Sequence, residues 1–214
     1  LTHSAVSANA SYKVDTTAPS AVWSAATDNV GVVTGSLTSG DSTDDTALVL
    51  SGTNESGSSV TVYNGTTLLE AATVSGTGWS YTATVANGTT YQFNVKETDA
   101  AGNTSAATSN FAVTGDTTAP TVSSVSISSA SGVQNSLLNA GDVVSVTVTF
   151  SENVTRTGSP QFTLNVGGTN RTATYGSGSG GTSPVFQYTI QAGESDADGI
   201  SIGANALALN SGTI

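Results

Sequence analysis

The chain has 214 residues, fifteen acidic side chains against four basic ones, a formal net charge of −11 and no cysteine. Such a surface repels nucleic-acid phosphates and anionic lipid, and no disulfide can staple the fold. Methionine is also absent and no apolar run is long enough to span a membrane, so the chain reads as a fragment or processed piece of an extracellular protein.

Charged residues make up only 9% of the chain, yet apolar residues alternate with Thr and Ser over long stretches. That period of two is the signature of half-buried strands and argues against disorder. The element that divides the chain is Asp15-Thr16-Thr17-Ala18-Pro19, which recurs as Asp116-Thr117-Thr118-Ala119-Pro120, 101 residues later. Proline fixes its own φ and pushes the preceding residue out of the helical region, so both strips read as stiff, extended linkers. A repeat at that spacing predicts tandem domains.

In chain order, residues 1–14 occupy the place relative to the first linker that 104–115 occupy relative to the second. They are expected to be the last strand of a preceding domain. Residues 15–115 form the first domain, with Leu48 and Leu50, Val60 and Val62, Trp79, Tyr81, Ala83 and Val85, and Tyr91, Phe93 and Val95 on inward phases. Asn64-Gly65, Gly76-Thr77-Gly78 and Asn87-Gly88 read as hairpin turns between about seven strands. Residues 116–214 form the second domain. Its inward sets are Val144, Val146, Val148 and Phe150; Phe162, Leu164 and Val166; Phe186, Tyr188 and Ile190; and Ile200 with Ile202. This domain is expected to lack its last strand. Residues 1–14 of a neighbouring copy would then complete it, giving a head-to-tail partner.

Acids gather at the turns. In a seven-strand sandwich, Asp15, Glu55, Asp99 and Asn103 fall at one end of the first domain, with Asp28, Asp44, Asp45 and Asp116 at the other. In the second domain Asp142 and Glu152 flank one strand, and Asp196 and Asp198 lie in a turn of alternating acids closed by Gly199. Ca²⁺ takes six to eight hard oxygens from carboxylates, amides and carbonyls, so these twelve residues are the candidate metal ligands, with Ca²⁺ as the cofactor. The competing reading of any one acid is a solvated turn residue. Catalysis finds no support: His3 is the single histidine, zinc would want a His/Cys set, and paired acids in small turns leave little room for a glycosidase cleft. Trp23 and Trp79 read as core residues rather than sugar platforms.

The strips Asp-Thr-Thr-Ala-Pro, Leu50–Ser58 and Thr98–Thr104 resemble bacterial immunoglobulin-like repeats of giant secreted adhesins, including the repeats-in-toxin class. The second domain resembles another repeat of those proteins through Val146–Val154, Asn170–Tyr175 and Asp196–Ile202. The resemblance implies an all-β chain of two tandem immunoglobulin-like β-sandwich domains, serving as a calcium-stiffened extender on a bacterial surface. It also implies that Asp99–Asn103 and the linker acids Asp15 and Asp116 carry metal. The alternatives are a glycan- or surface-binding module and a spacer of a secreted hydrolase.

Overall fold

The computed structural model describes residues 13–31 and 34–214, so the strand expected over 1–14 falls outside the described residues except for Lys13 and Val14, both exposed. The chain is all-β and divides into two compact units, Leu1–Thr118 and Ala119–Ile214.

Unit 1 builds two five-stranded sheets. One runs β2-β1-β4-β8-β7, with β1 at Val22–Asp28, β2 at Gly35–Ser36, β4 at Ala47–Thr53, β7 at Thr73–Ser75 and β8 at Gly78–Thr84. The other runs β3-β10-β9-β5-β6, with β3 at Ser42–Thr43, β5 at Ser59–Asn64, β6 at Thr67–Ala71, β9 at Thr90–Thr98 and β10 at Phe111–Gly115. Alternate residues of each sheet meet in one core: Ala26, Leu48, Leu50, Trp79 and Ala83 from the first, and Val60, Val62, Phe93, Val95 and Val113 from the second. Full burial of each Leu, Val or Phe stabilises by about 1.5–3 kcal/mol, which is why the alternating phase fixes which face turns inward.

Trp79 sits at one end of this core. Its indole N–H donates to the carbonyl of Val22 at 3.1 Å, and its ring meets Trp23 edge-on with centroids 5.8 Å apart. Trp23 in turn stacks on Phe111 at 5.1 Å. The close approach depends on Gly52, where an added Cβ would fall 1.9 Å from the Val22 oxygen and 2.5 Å from the indole nitrogen.

Two of the three expected hairpin turns join neighbouring strands. Gly65, with a φ of 59°, turns β5 into β6, and Gly76 turns β7 into β8. Asn87-Gly88 does not make a hairpin. It carries the chain from β8 in one sheet to β9 in the other, because β9 finds its partners in β5 and β10.

Unit 2 is one six-stranded sheet, in the order β11-β12-β15-β14-β13-β16. Its strands are β11 at Val122–Ser131, β12 at Val143–Phe150, β13 at Gln161–Val166, β14 at Thr169–Ser177, β15 at Val185–Thr189 and β16 at Leu207–Ala208. The sheet closes around its own inner face, since Val144, Val146 and Val148 of β12 share a core with Phe162 and Leu164 of β13, across β15 and β14. The single sheet is the two-sheet plan with one strand left unbroken. In unit 1 the chain switches sheets at Ala72, between β6 and β7. In unit 2 the start of β14 pairs with β13 and its end with β15, both ladders meeting at Thr174. The expected strand at Ile200 and Ile202 is reduced to a single bridge, Asn165 to Ser201, because the run is interrupted by Gly203 and by Asn205 in a left-handed conformation at φ 55°. Extended pairing resumes only at β16, though both isoleucines still pack on the core.

Gly52→Ala is expected to destabilise unit 1 by about 1–3 kcal/mol through overpacking against Trp79. Thermal unfolding followed by tryptophan fluorescence checks this, because Trp23 and Trp79 are the chain's only tryptophans and both report on unit 1. An unchanged midpoint contradicts the packing account.

Candidate functional site

At the N-terminal linker end of unit 1, the β9–β10 connection turns on Asp99. Its Oδ1 accepts the N–H groups of Ala101 and Asn103, each at 2.8 Å, and its Oδ2 accepts Asn103 Nδ2 at 2.8 Å. The side-chain hydrogen bond from Asn103, with the turn N–H groups, holds the Asp99 carboxyl below the usual carboxylate range. Asn103 Nδ2 also reaches the backbone oxygen of Asp15 at 3.2 Å, so one amide joins the turn to the linker. Asp15 itself accepts the N–H of Thr17 at 3.0 Å, and Asp116 accepts that of Thr118 at 3.3 Å. The repeated strip thus folds the same way twice, with Asp heading an Asx turn.

Beside this turn lies a residue that the sequence reading passed over. Glu97 continues the inward phase of Phe93 and Val95 and is fully buried. Its Oε1 accepts the N–H of Glu55 at 2.6 Å and the hydroxyl of Ser58. Its backbone N–H donates to Ser105 Oγ at 2.9 Å. Ser58 Oγ also accepts Asn54 Nδ2 at 3.2 Å, which links Asn54 to the same cluster. Glu97 Oε2 and Asn54 Oδ1 are buried with no hydrogen-bond partner among the described residues. Two such acceptor oxygens call for a positive group or a donor, since an unpaired buried oxygen costs about 1–3 kcal/mol, more when charged. The signal was readable as a carboxylate on an apolar phase. Glu55 joins this cluster through its backbone, while its side chain is exposed.

At the other end of unit 1, Thr43 is the hub. Its hydroxyl donates to Asp28 Oδ2 at 2.7 Å and accepts the N–H of Asp45 at 3.1 Å, while its carbonyl accepts the N–H of Asp116 at 2.8 Å. Asp28 and Asp45 are nearly fully buried and cap further N–H groups, Val30 on Asp28 and Ala47 on Asp45. Asp44 is exposed and lies against the backbone of Gly31. Asn87 grips the outgoing strip, accepting the N–H of Thr117 at 2.8 Å and donating to Thr118 Oγ1 at 3.0 Å.

In unit 2 the expected residues are spread. Asp142 accepts the N–H of Asn139 at 2.6 Å ahead of β12, and Glu152 is half-buried beyond the other end of that strand. Asp196 accepts the N–H of Gly167 at 2.9 Å and those of Asp198 and Gly199, and the Gly167 bond does most to hold its carboxyl low. Asp198 is exposed. Among the described residues, no three His, Cys, Asp or Glu side chains stand close enough to form a metal group by themselves. Any metal site here would need amide, hydroxyl or backbone oxygens as well.

Residues 17–117 match the family model of the bacterial Ig-like domain. Unit 1 is similar to that domain, and the match covers just under half of the chain. A comparison of the chain with curated proteins gave no match. The family accounts for the two-sheet plan, and its range takes in both linker anchors, Asn103 and Asn87, of this Ig-like domain. Domains of this kind serve as extracellular structural and adhesion modules. No helix among the described residues is long and apolar enough to cross a membrane.

One further polar set in unit 2 has a measurable consequence. Glu194 accepts the Tyr188 hydroxyl at 2.6 Å and the N–H of Gln191 at 2.8 Å, and pairs with Arg171 at 2.5 Å. Burial works to raise the Glu194 carboxyl, but the Tyr188 and Gln191 hydrogen bonds and the Arg171 charge outweigh it and hold the group below its usual value. Burial first, and then Glu194, push the Tyr188 hydroxyl up. A depressed carboxyl stabilises the fold above its unfolded pKa of about 4.3, and that contribution is lost as pH falls through the folded value. Calorimetric melting of unit 2 should therefore lose stability below about pH 4, and Glu194→Gln should flatten that dependence. An equally steep acid limb in the variant rules out this assignment.

Proposed function

We propose that the chain is a structural extender segment of an extracellular bacterial adhesin or filament of the repeats-in-toxin kind, stiffened by calcium and assembled head-to-tail. The observation that carries this reading is the treatment of the repeated strip. In each copy, Asp heads the same Asx turn, and an asparagine of the Ig-like domain holds it: Asn103 on the incoming strip and Asn87 on the outgoing one. A module that anchors both of its linkers suits a load-bearing series better than a catalyst.

Calcium belongs at the incoming end of unit 1. The residues there offer only hard oxygen donors and amides, and the buried Glu97 Oε2 and Asn54 Oδ1 are acceptors in want of a positive partner. Asp15 and Asp99 would supply charge from the rim, and the Asn103 side-chain oxygen a neutral ligand. The bound ion would tie the linker to the domain beside the Asn103 amide, which already reaches the Asp15 carbonyl. Asp28, Asp44, Asp45 and Asp116 form the second candidate group, at the outgoing end.

Two measurements test the calcium reading. Ligand bound only to the folded state adds RT ln(1 + [L]/Kd), about 2.7 kcal/mol at a hundredfold excess, so chelation should lower the melting temperature and raise the spread of the scattering profile. Identical curves with and without chelator refute it. Asp99→Asn keeps an oxygen for the Ala101 and Asn103 N–H groups but removes the charge and the acceptor that Asn103 Nδ2 uses. The variant should lose a little of its metal-free melting temperature with that one bond, while calorimetric titration shows calcium affinity falling about tenfold or more, roughly 1.4 kcal/mol. Unchanged affinity leaves Asp99 a turn residue only.

A further inference from the structure

We propose that the Asn54–Ser58 turn of unit 1 is a gate: the cation held at Glu97 is sealed beneath it and is taken up only when the turn opens. The proposal rests on the calcium reading above and adds the route by which the ion enters.

The donors around Glu97 are all engaged. The Ser58 hydroxyl carries one proton, which the Glu55 carbonyl at 2.7 Å and Glu97 Oε1 share. Asn54 Nδ2 commits its two protons to the same carbonyl, at 2.7 Å, and to Ser58 Oγ at 3.2 Å. The Glu55 N–H goes to Glu97 Oε1 and the Ser58 N–H to the Glu55 carbonyl. Turning the Asn54 amide over would set its oxygen against the Glu55 carbonyl, so its orientation is fixed. Glu97 Oε2 and Asn54 Oδ1 are therefore left without a hydrogen-bond partner among the described residues, in one cluster joined through Ser58 Oγ. A hard cation satisfies a carboxylate oxygen and an amide oxygen together. Glu97 is 0% exposed, Asn54, Ser58 and Ser105 are buried around it, and both orphan oxygens are closed off from solvent.

The walls of this pocket are not equally fastened. On one side Ser105 is laced to the backbone of β9. Its N–H donates to the Glu97 carbonyl at 2.8 Å, and its hydroxyl accepts the Glu97 N–H at 2.9 Å and donates to the Ala106 carbonyl at 2.8 Å. None of those bonds involves the Glu97 carboxylate. On the other side the turn reaches β9 at that carboxylate, through the Glu55 N–H and the Ser58 hydroxyl. Glu55, Ser56 and Gly57 are exposed, and Gly57 holds a φ of 84° with open space where a side chain would stand. Latch and ligand are thus one group. Opening the turn frees Oε1 and uncovers Oε2 in the same movement, and closing it over an ion restores both bonds.

Uptake at an open site quickens in proportion to the metal added, whereas uptake through a gate levels off at the rate of opening. Stopped-flow luminescence of the full chain with terbium, which takes the same hard oxygens as calcium, reads the difference. The phase that belongs to the site is the one lost in Glu97→Gln, and its rate should reach a plateau as terbium is raised. Gly57→Ala should lift that plateau about fivefold or more, because a Cβ strains the closed turn while meeting no other atom. Gly65→Ala puts the same left-handed strain into the β5–β6 turn, also in open space, and should leave the plateau where it is. A Glu97-dependent phase that climbs linearly with terbium overturns the gate and leaves the calcium reading standing. So does a plateau that Gly57→Ala does not move, or that both glycine variants raise alike. Terbium uptake that is the same in Glu97→Gln as in the unaltered chain overturns the gate together with the placing of the ion at Glu97.

Discussion

Backbone pairing at the last strand of the Ig-like domain is the constraint on which the rest of unit 1 depends. Among the described residues β10 joins β9, deep in one sheet, to β3, which arrives from the N-terminal half. With it in place, Val113 seals the core and Asp116 N–H reaches the Thr43 carbonyl. Thr43 then organises Asp28 and Asp45, two acids that would be costly to bury without the hydrogen bonds it gathers. Core closure, the acidic hub and the start of the outgoing linker thus share one set of bonds.

The acids have two kinds of place. Most sit at strand ends, where each accepts N–H groups that no ladder can reach, and in a chain with four basic residues such bonds do the work that ion pairs do elsewhere. Glu97 is different. It occupies a position that alternation assigns to the core, and its second oxygen has no hydrogen-bond partner among the described residues. That contrast separates acids explained by the backbone from a carboxylate with an oxygen left over.

Most of the fold was legible because the inward phase of a strand is written in side-chain type. Leu48 and Leu50, Val60 and Val62, Phe93 and Val95, and the β12, β13 and β15 sets all lie where alternation put them. The rest depended on partners that sequence does not name. β2 and β3 are two-residue strands that exist only because β1 and β10 pass beside them. Asn87-Gly88 has the chemistry of a hairpin turn, but the ladder beyond it belongs to another sheet. The Asp15, Asp99 and Asn103 grouping was readable from sandwich topology. The Asn54, Ser58 and Glu97 cluster was not, since its members come from a loop and a strand 39 residues apart.

The direction of β3 relative to β10 also has a mechanical meaning. Unit 1 is entered near β1 and left after β10, and β3 runs parallel to β10. Once β1 has been drawn off β4, tension through the two linkers pulls β3 and β10 in opposite senses along their length. The bonds from Thr114 N–H to the Asp41 carbonyl, at 3.0 Å, and from Asp116 N–H to the Thr43 carbonyl, at 2.8 Å, lie across that pull. They are loaded in shear and must give way together, whereas an antiparallel pair pulled from one end unzips bond by bond. A short parallel ladder placed there makes the domain resist stretching more than its modest number of hydrogen bonds would imply.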